Sequence, residues 1–71
     1  MNANETLIIQ SIVEYTIAKG FVMSINDGEE DTVDFSNDKS VLLSSLDTTG
    51  EDYLFFHDGL HPLGWMRFIY D

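Results

Sequence analysis

Two aspartate-glycine dipeptides, Asp27-Gly28 and Asp58-Gly59, each separate a pair of short apolar or aromatic runs. They constrain the fold more than any other feature, because Asp-Gly favours the positive φ angles of hairpin turns. Before the first, Phe21, Met23 and Ile25 alternate with Val22, Ser24 and Asn26, the period of a half-buried strand. After it, Thr32 to Phe35 reads as a return strand with Val33 and Phe35 on one side. Joining the apolar faces pairs Ile25 with Val33 and Met23 with Phe35, which predicts a loop of about three to five residues around Gly28, Glu29 and Glu30. The same argument pairs Phe56 with Met66 and Leu54 with Phe68 in a second, aromatic hairpin of Tyr53 to His57 and Trp65 to Tyr70. Pro62 to Gly64 suits a loop and not a sheet interior.

Helix signals precede both hairpins. Asn2 caps a first helix with Glu5 three residues on in the capping-box position, and Gly20 follows Lys19 as its left-handed stop. Ile8, Ile9, Ile12, Val13 and Thr16 mark its stripe, and Leu7, Ile17 and Ala18 widen the apolar surface enough to predict burial on more than one side. Ser36-Asn37-Asp38 starts a second helix over Lys39 to Leu46, with Val41, Leu42, Leu43 and Leu46 at helical spacing. The expected fold is one α+β domain spanning residues 1–71. In it, two helices pack on an antiparallel sheet of about four strands, in helix-hairpin-helix-hairpin order. The matching places of the two hairpins hint at a doubled unit.

Size and composition bound the rest. With 71 residues, 44% of them hydrophobic and no cysteine, the chain is apolar enough to fold, but its core is small and has no disulfide to reinforce it. Extra burial in a homodimer or against a partner protein is one resolution. No apolar run approaches the roughly 20 residues of a membrane span, and the N-terminus lacks a secretory pattern, so a cytoplasmic protein is expected. Three cations, Lys19, Lys39 and Arg67, are too few for direct phosphate contact with a nucleic acid.

Charge is the strongest functional signal. Thirteen Asp and Glu stand against three Lys and Arg, a formal net charge of −10. Ten of the thirteen lie between Asn26 and Asp58, where Lys39 is the only cation. Two readings stay open at this level. The acids serve as solvated turn residues, or else Asp27, Glu29, Glu30, Asp31, Asp34, Asp38, Asp47, Glu51 and Asp52 form a surface that imitates a phosphate array. Such a surface would attract a basic, nucleic-acid-handling protein with salt-sensitive association. Asp27-Gly28-Glu29-Glu30-Asp31 has the wrong glycine offset for a calcium loop. His57 and His61 flank a turn, where their four-residue spacing has no ligand geometry. No phosphate loop, nucleophile elbow or catalytic triad pattern appears, so neither an enzyme nor a metal or cofactor is expected. The second hairpin holds six of the nine aromatics, and Trp65, Arg67 and Tyr70 on its last strand are a candidate interface.

At Asp27-Gly28-Glu29-Glu30, Ser36-Asn37-Asp38-Lys39, Leu46 to Asp52 and Gly64-Trp65-Met66-Arg67-Phe68-Ile69-Tyr70, the chain resembles a group of small acidic phage and prophage proteins. The likeness covers roughly residues 15–70. Members of that group continue past the tyrosine with a further strand, so a closed sheet edge is not expected here. The group has no agreed activity, and no residue role carries over. The resemblance implies a context in which compact acidic proteins block host defence, repair or transcription machinery, some by imitating DNA. The expected function is therefore non-enzymatic inhibition of a basic host protein. The alternative is an oligomeric structural or accessory module that uses the aromatic hairpin as its interface.

Overall fold

The computed structural model describes residues 1–70. Its elements are α1 (Ala3–Ala18), β1 (Val22–Asn26), β2 (Asp31–Ser36), α2 (Lys39–Ser44), β3 (Glu51–Asp58) and β4 (His61–Ile69). The fold is α+β, with two helices and one four-stranded antiparallel sheet in the order β2-β1-β3-β4. The elements run helix, strands, short helix, strands, which does not match the expected helix-hairpin-helix-hairpin repeat of like units. α2 has six residues against sixteen in α1, and β1 pairs with β3 as well as β2, so the strands form a single sheet.

Local chemistry explains both helices. Asn2 Oδ1 accepts from the Glu5 amide at 2.9 Å, and Glu5 Oε1 accepts from the Asn2 amide at 2.8 Å, so two otherwise unpaired donors are satisfied reciprocally. At the other end Gly20 takes φ +82°, and the amides of Gly20 and Phe21 donate back to the carbonyls of Ile17 and Thr16. This closure needs a left-handed residue, which glycine supplies at little cost. α2 starts at Asp38, whose Oδ1 accepts from the amides of Ser40 and Val41 at 3.0 and 3.2 Å. It ends two residues before the expected Leu46, yet Leu46 stays buried in the turn that follows.

The core is Ile9 and Val13 of α1, Met23 and Ile25 of β1, Val33 of β2, Leu42 and Leu46, and Leu54 of β3. Helix contacts concentrate on β1 and β2, so β4 extends beyond the helical layer as a sheet edge. Only Ile9, Val13 and Thr16 of α1 are buried, while Leu7, Ile8 and Tyr15 remain exposed, so the expected burial of this helix on more than one side is not seen within one chain.

Registers depart from expectation in two places. Ile25 pairs with Val33 across a four-residue loop, but Met23 pairs with Ser36 and not Phe35. Phe35 is the extra residue of a bulge: it has φ +45°, and its amide donates to Ser24 Oγ at 3.0 Å. In the second hairpin Leu54 pairs with Met66 and Phe56 with Gly64, a slip of two residues from the expected pairing. The cause is a tight turn. Asp58 pairs with His61 across Gly59 and Leu60, drawing Pro62, Leu63 and Gly64 out of the expected loop and into β4. Pro62 is tolerated because an edge strand leaves half its backbone donors unused. A two-residue slip also preserves side-chain parity, so the inward set survives it.

Candidate functional site

Antiparallel pairing brings both acidic loops to one end of the sheet, since Asn26 pairs with Asp31 on one side and Tyr53 on the other. The β1–β2 loop is shaped by its own carboxamide and carboxylate. Asn26 Oδ1 accepts from the Gly28 amide at 2.8 Å, and Asp27 Oδ1 accepts from the amides of Glu29 and Glu30, both at 2.9 Å. Those amides, Glu30 foremost, hold the Asp27 carboxyl below its ordinary value of 3.8. The α2–β3 loop is tied on by Thr49, whose hydroxyl donates to the Asp27 carbonyl at 2.6 Å. The two loops also meet at Gly28, which has φ +96°, and a β-carbon there would lie 2.5 Å from Glu51 Oε1.

The nine candidate acids fall into distinct environments. Glu29, Glu30, Asp31 and Asp34 are exposed, and none enters an ion pair among the described residues. Asp31 accepts one neutral hydrogen bond from Asn26 Nδ2 at 2.9 Å. Asp38 is exposed but spent on capping α2. Asp47 pairs with the Met1 ammonium, and Glu51 Oε2 accepts from Arg67 Nη2 at 2.9 Å and Nε at 3.2 Å. Asp27 and Asp52 are buried, with Asp52 fully enclosed. The structure thus brings Asp27, Glu29, Glu30, Asp31, Asp47, Glu51 and Asp52 to one end, while Asp34 and Asp38 lie farther along the β2 side.

Asp52, expected on the acidic surface, is instead buried. It shares strand parity with Leu54 and Phe56, and the alternation that buries Leu54 buries it too. Its Oδ2 accepts from the Asp47 amide at 2.8 Å. Burial is the main reason its carboxyl is raised above 3.8, with the Asp47 amide opposing. Asp52 Oδ1 and the Tyr70 hydroxyl are both enclosed, and neither makes a well-formed hydrogen bond. They nevertheless act on each other directly, and burial together with Asp52 pushes the Tyr70 hydroxyl far above its ordinary range. Tyr70 is therefore a structural phenol, unlike Trp65 and Arg67.

Those two residues belong to the sheet face opposite the helices. Trp65 is 62% exposed, its ring tilted against Tyr53 at 6.1 Å, and the Arg67 guanidinium lies 5.6 Å from the same Tyr53 ring. The His57 ring is tilted against Phe35 at 4.5 Å on that face, with Nδ1 buried and without a hydrogen-bond partner among the described residues, whereas His61 is exposed at the start of β4. Among the described residues no group of three or more histidine, aspartate or glutamate side chains is placed to hold a metal ion. No described helix is long and apolar enough to cross a membrane.

One feature is not encoded in any motif. Between α1 and β4 runs an open groove of about 650 Å³ whose walls include Ile12, Tyr15, Phe56, Leu63 and Met66, and no carboxylate lines it. It arises because β4 lies past the helical layer, a property of strand order that local periodicity does not carry. No protein-family model matches the chain, and no curated protein or solved structure matches it either.

Proposed function

We propose that this chain is a non-enzymatic binding protein that engages a basic, nucleic-acid-handling protein and inhibits it by occupying the groove meant for phosphates. The observation that carries this reading is the group Glu29, Glu30, Asp31 and Asp34, four exposed carboxylates in and beside one hairpin, all outside ion pairs among the described residues. Exposed, unpaired carboxylates retain their full attraction for a partner's Lys and Arg, and charge-assisted contacts of this kind give fast, salt-sensitive association. Asp27 supports the group by fixing the loop from within. In this proposal, which takes its setting from the resemblance to small acidic phage proteins, the activity is interference with defence or takeover of host machinery in the cytoplasm of an infected host.

The test is capture from bacterial lysate at low salt, followed by titration of the retained protein. A Glu29→Lys/Glu30→Lys/Asp31→Lys variant is expected to weaken binding by at least about tenfold per charge pair lost from a desolvated contact, and duplex DNA is expected to compete. Unchanged affinity in the variant, or affinity indifferent to salt, would refute the proposal.

A second reading, an oligomeric accessory module built on the aromatic hairpin, is favoured by a separate observation. Trp65, Met66 and Ile69 of β4 are 62%, 47% and 67% exposed. Large apolar side chains grouped on one edge strand are the usual mark of a protein interface.

A further inference from the structure

We infer that β4 is the contact strand of a two-fold homodimer, pairing antiparallel with β4 of a second copy so that α1 and β4 of each chain close over the groove between them. This inference rests on the second, oligomeric reading and supplies its surface and partner.

The two sheet edges differ in how they meet a strand from outside. β2 is six residues long, carries exposed Asp31 and Asp34, and is broken by the left-handed Phe35 bulge. Short length, charge and a bulge are the devices that keep an edge from pairing. β4 is nine residues long and lacks most of them. Its only charged side chain is Arg67, which is turned across its own sheet to Glu51 and the Tyr53 ring. Pro62 blunts just the first turn-proximal positions. Pairing β4 with β2 of the next molecule would set aromatics against a carboxylate-lined edge and would propagate without end, whereas β4 with β4 closes as a dimer.

Area and charge select the same occupant. Ile8, Tyr15, Leu63 and Met66 on the helix side of β4, and Trp65 and Ile69 on its opposite face, are each 47–67% exposed, so both faces of the strand beside the seam carry apolar area. At about 200 Å² for a large side chain they present roughly 700 Å², and the strand edge itself brings this near the roughly 800 Å² per partner of a standard interface. A copy carrying −10 is repelled by another over most of its surface, but no carboxylate lines the groove at Tyr15, Leu63 and Met66; Glu5 borders only the far end, beside Ile8 and Ile69. The groove is the surface on which two such copies approach with least repulsion. The side chains of Tyr15, Leu63 and Met66 from each chain would then cover those of the other, removing the largest apolar exposure of a small domain.

Sedimentation equilibrium from about 1 to about 100 μM tests the inference. The wild-type chain is expected at twice its 8.1 kDa mass, with association strengthened by added salt, because screening relieves like-charge repulsion. Met66→Lys and Trp65→Lys are each expected to weaken association about 100-fold while keeping the wild-type far-ultraviolet spectrum, and Asp34→Ala is expected to leave it unchanged. Hydrogen exchange reads the strand directly: amides along β4 that lack a partner within one chain should be protected in the wild type and exposed in Trp65→Lys. A monomer throughout the range would overturn both the inference and the oligomeric reading. A dimer indifferent to the β4 variants, or one without added β4 protection, would overturn the inference and leave that reading standing. Masses growing beyond the dimer would overturn the closed β4–β4 arrangement.

Discussion

Asp52 is a carboxylate that alternation places among apolar neighbours, and its titration shows what that costs. In the folded chain it holds its proton more tightly than an unfolded aspartate, with an ordinary value of 3.8. Its contribution therefore favours folding below pH 3.8 and is lost as pH rises through the raised folded value. Asp27 has the opposite sign: its stabilisation is present above 3.8 and disappears as pH falls through its lowered folded value. Asp52→Asn keeps an acceptor for the Asp47 amide and removes the enclosed charge. It is expected to raise the melting temperature at neutral pH by about 4–8 °C for each kcal/mol gained, with little effect at acid pH where Asp52 is already neutral. Thermal melts at both pH values decide this, and a lower melting temperature at neutral pH would show that the charge is stabilised in place. The parity Asp52 shares with Leu54 is the one sequence signal for its burial, against its expected place on the acidic surface, and nothing local marks its neighbour Tyr70, which approaches from beyond the end of β4.

Among the elements, those governed by local chemistry are legible in the sequence and those governed by partner strands are not. The capping box at Asn2 and Glu5, the Gly20 stop and the Asp38 cap involve residues within five positions of each other, so the chain specifies them without its fold. α2 depends most on its cap, because six residues cannot sustain a helix by themselves. Asp38→Ala is expected to cost about 1 kcal/mol in urea unfolding, and Asp38→Asn to cost less than about 0.5 kcal/mol, since asparagine caps equally well. The same pair separates capping from partner binding: a loss of affinity in Asp38→Asn without a loss of stability would assign its charge to the partner. The β3–β4 register was misplaced because parity fixes which face a residue occupies, but not which of the same-face alignments forms. The Gly59-Leu60 turn made that choice, together with an edge position that could accept Pro62.

On the scale of the whole molecule, charge and apolar exposure lie mostly on opposite edges. Exposed carboxylates outside any ion pair among the described residues occupy the β1–β2 hairpin and the β2 edge, with Asp58 at the β3–β4 turn, while exposed Leu63, Trp65, Met66 and Ile69 lie on β4. A net charge of −10 on 71 residues sets up self-repulsion in the compact state. Unfolding temperature is accordingly expected to rise as NaCl increases from about 0.01 to about 0.15 M, read by calorimetry at fixed protein concentration. An unchanged value would show that the carboxylates are already far enough apart to be screened by water. The same salt step should weaken a complex formed through Glu29, Glu30, Asp31 and Asp34, so the fold and the acidic contact respond with opposite sign. The sequence by itself determined the α+β class, the helix caps, the inward Met23, Ile25, Leu54 and Phe56 and the concentration of acids between Asn26 and Asp58, because each depends on residues close in the chain or on a period of two. Tertiary structure decided the order β2-β1-β3-β4, and with it which carboxylates reach solvent and where the groove opens. Strand order rests on contacts between distant segments, and those are selected by the burial of the whole core and not by any one stretch of sequence.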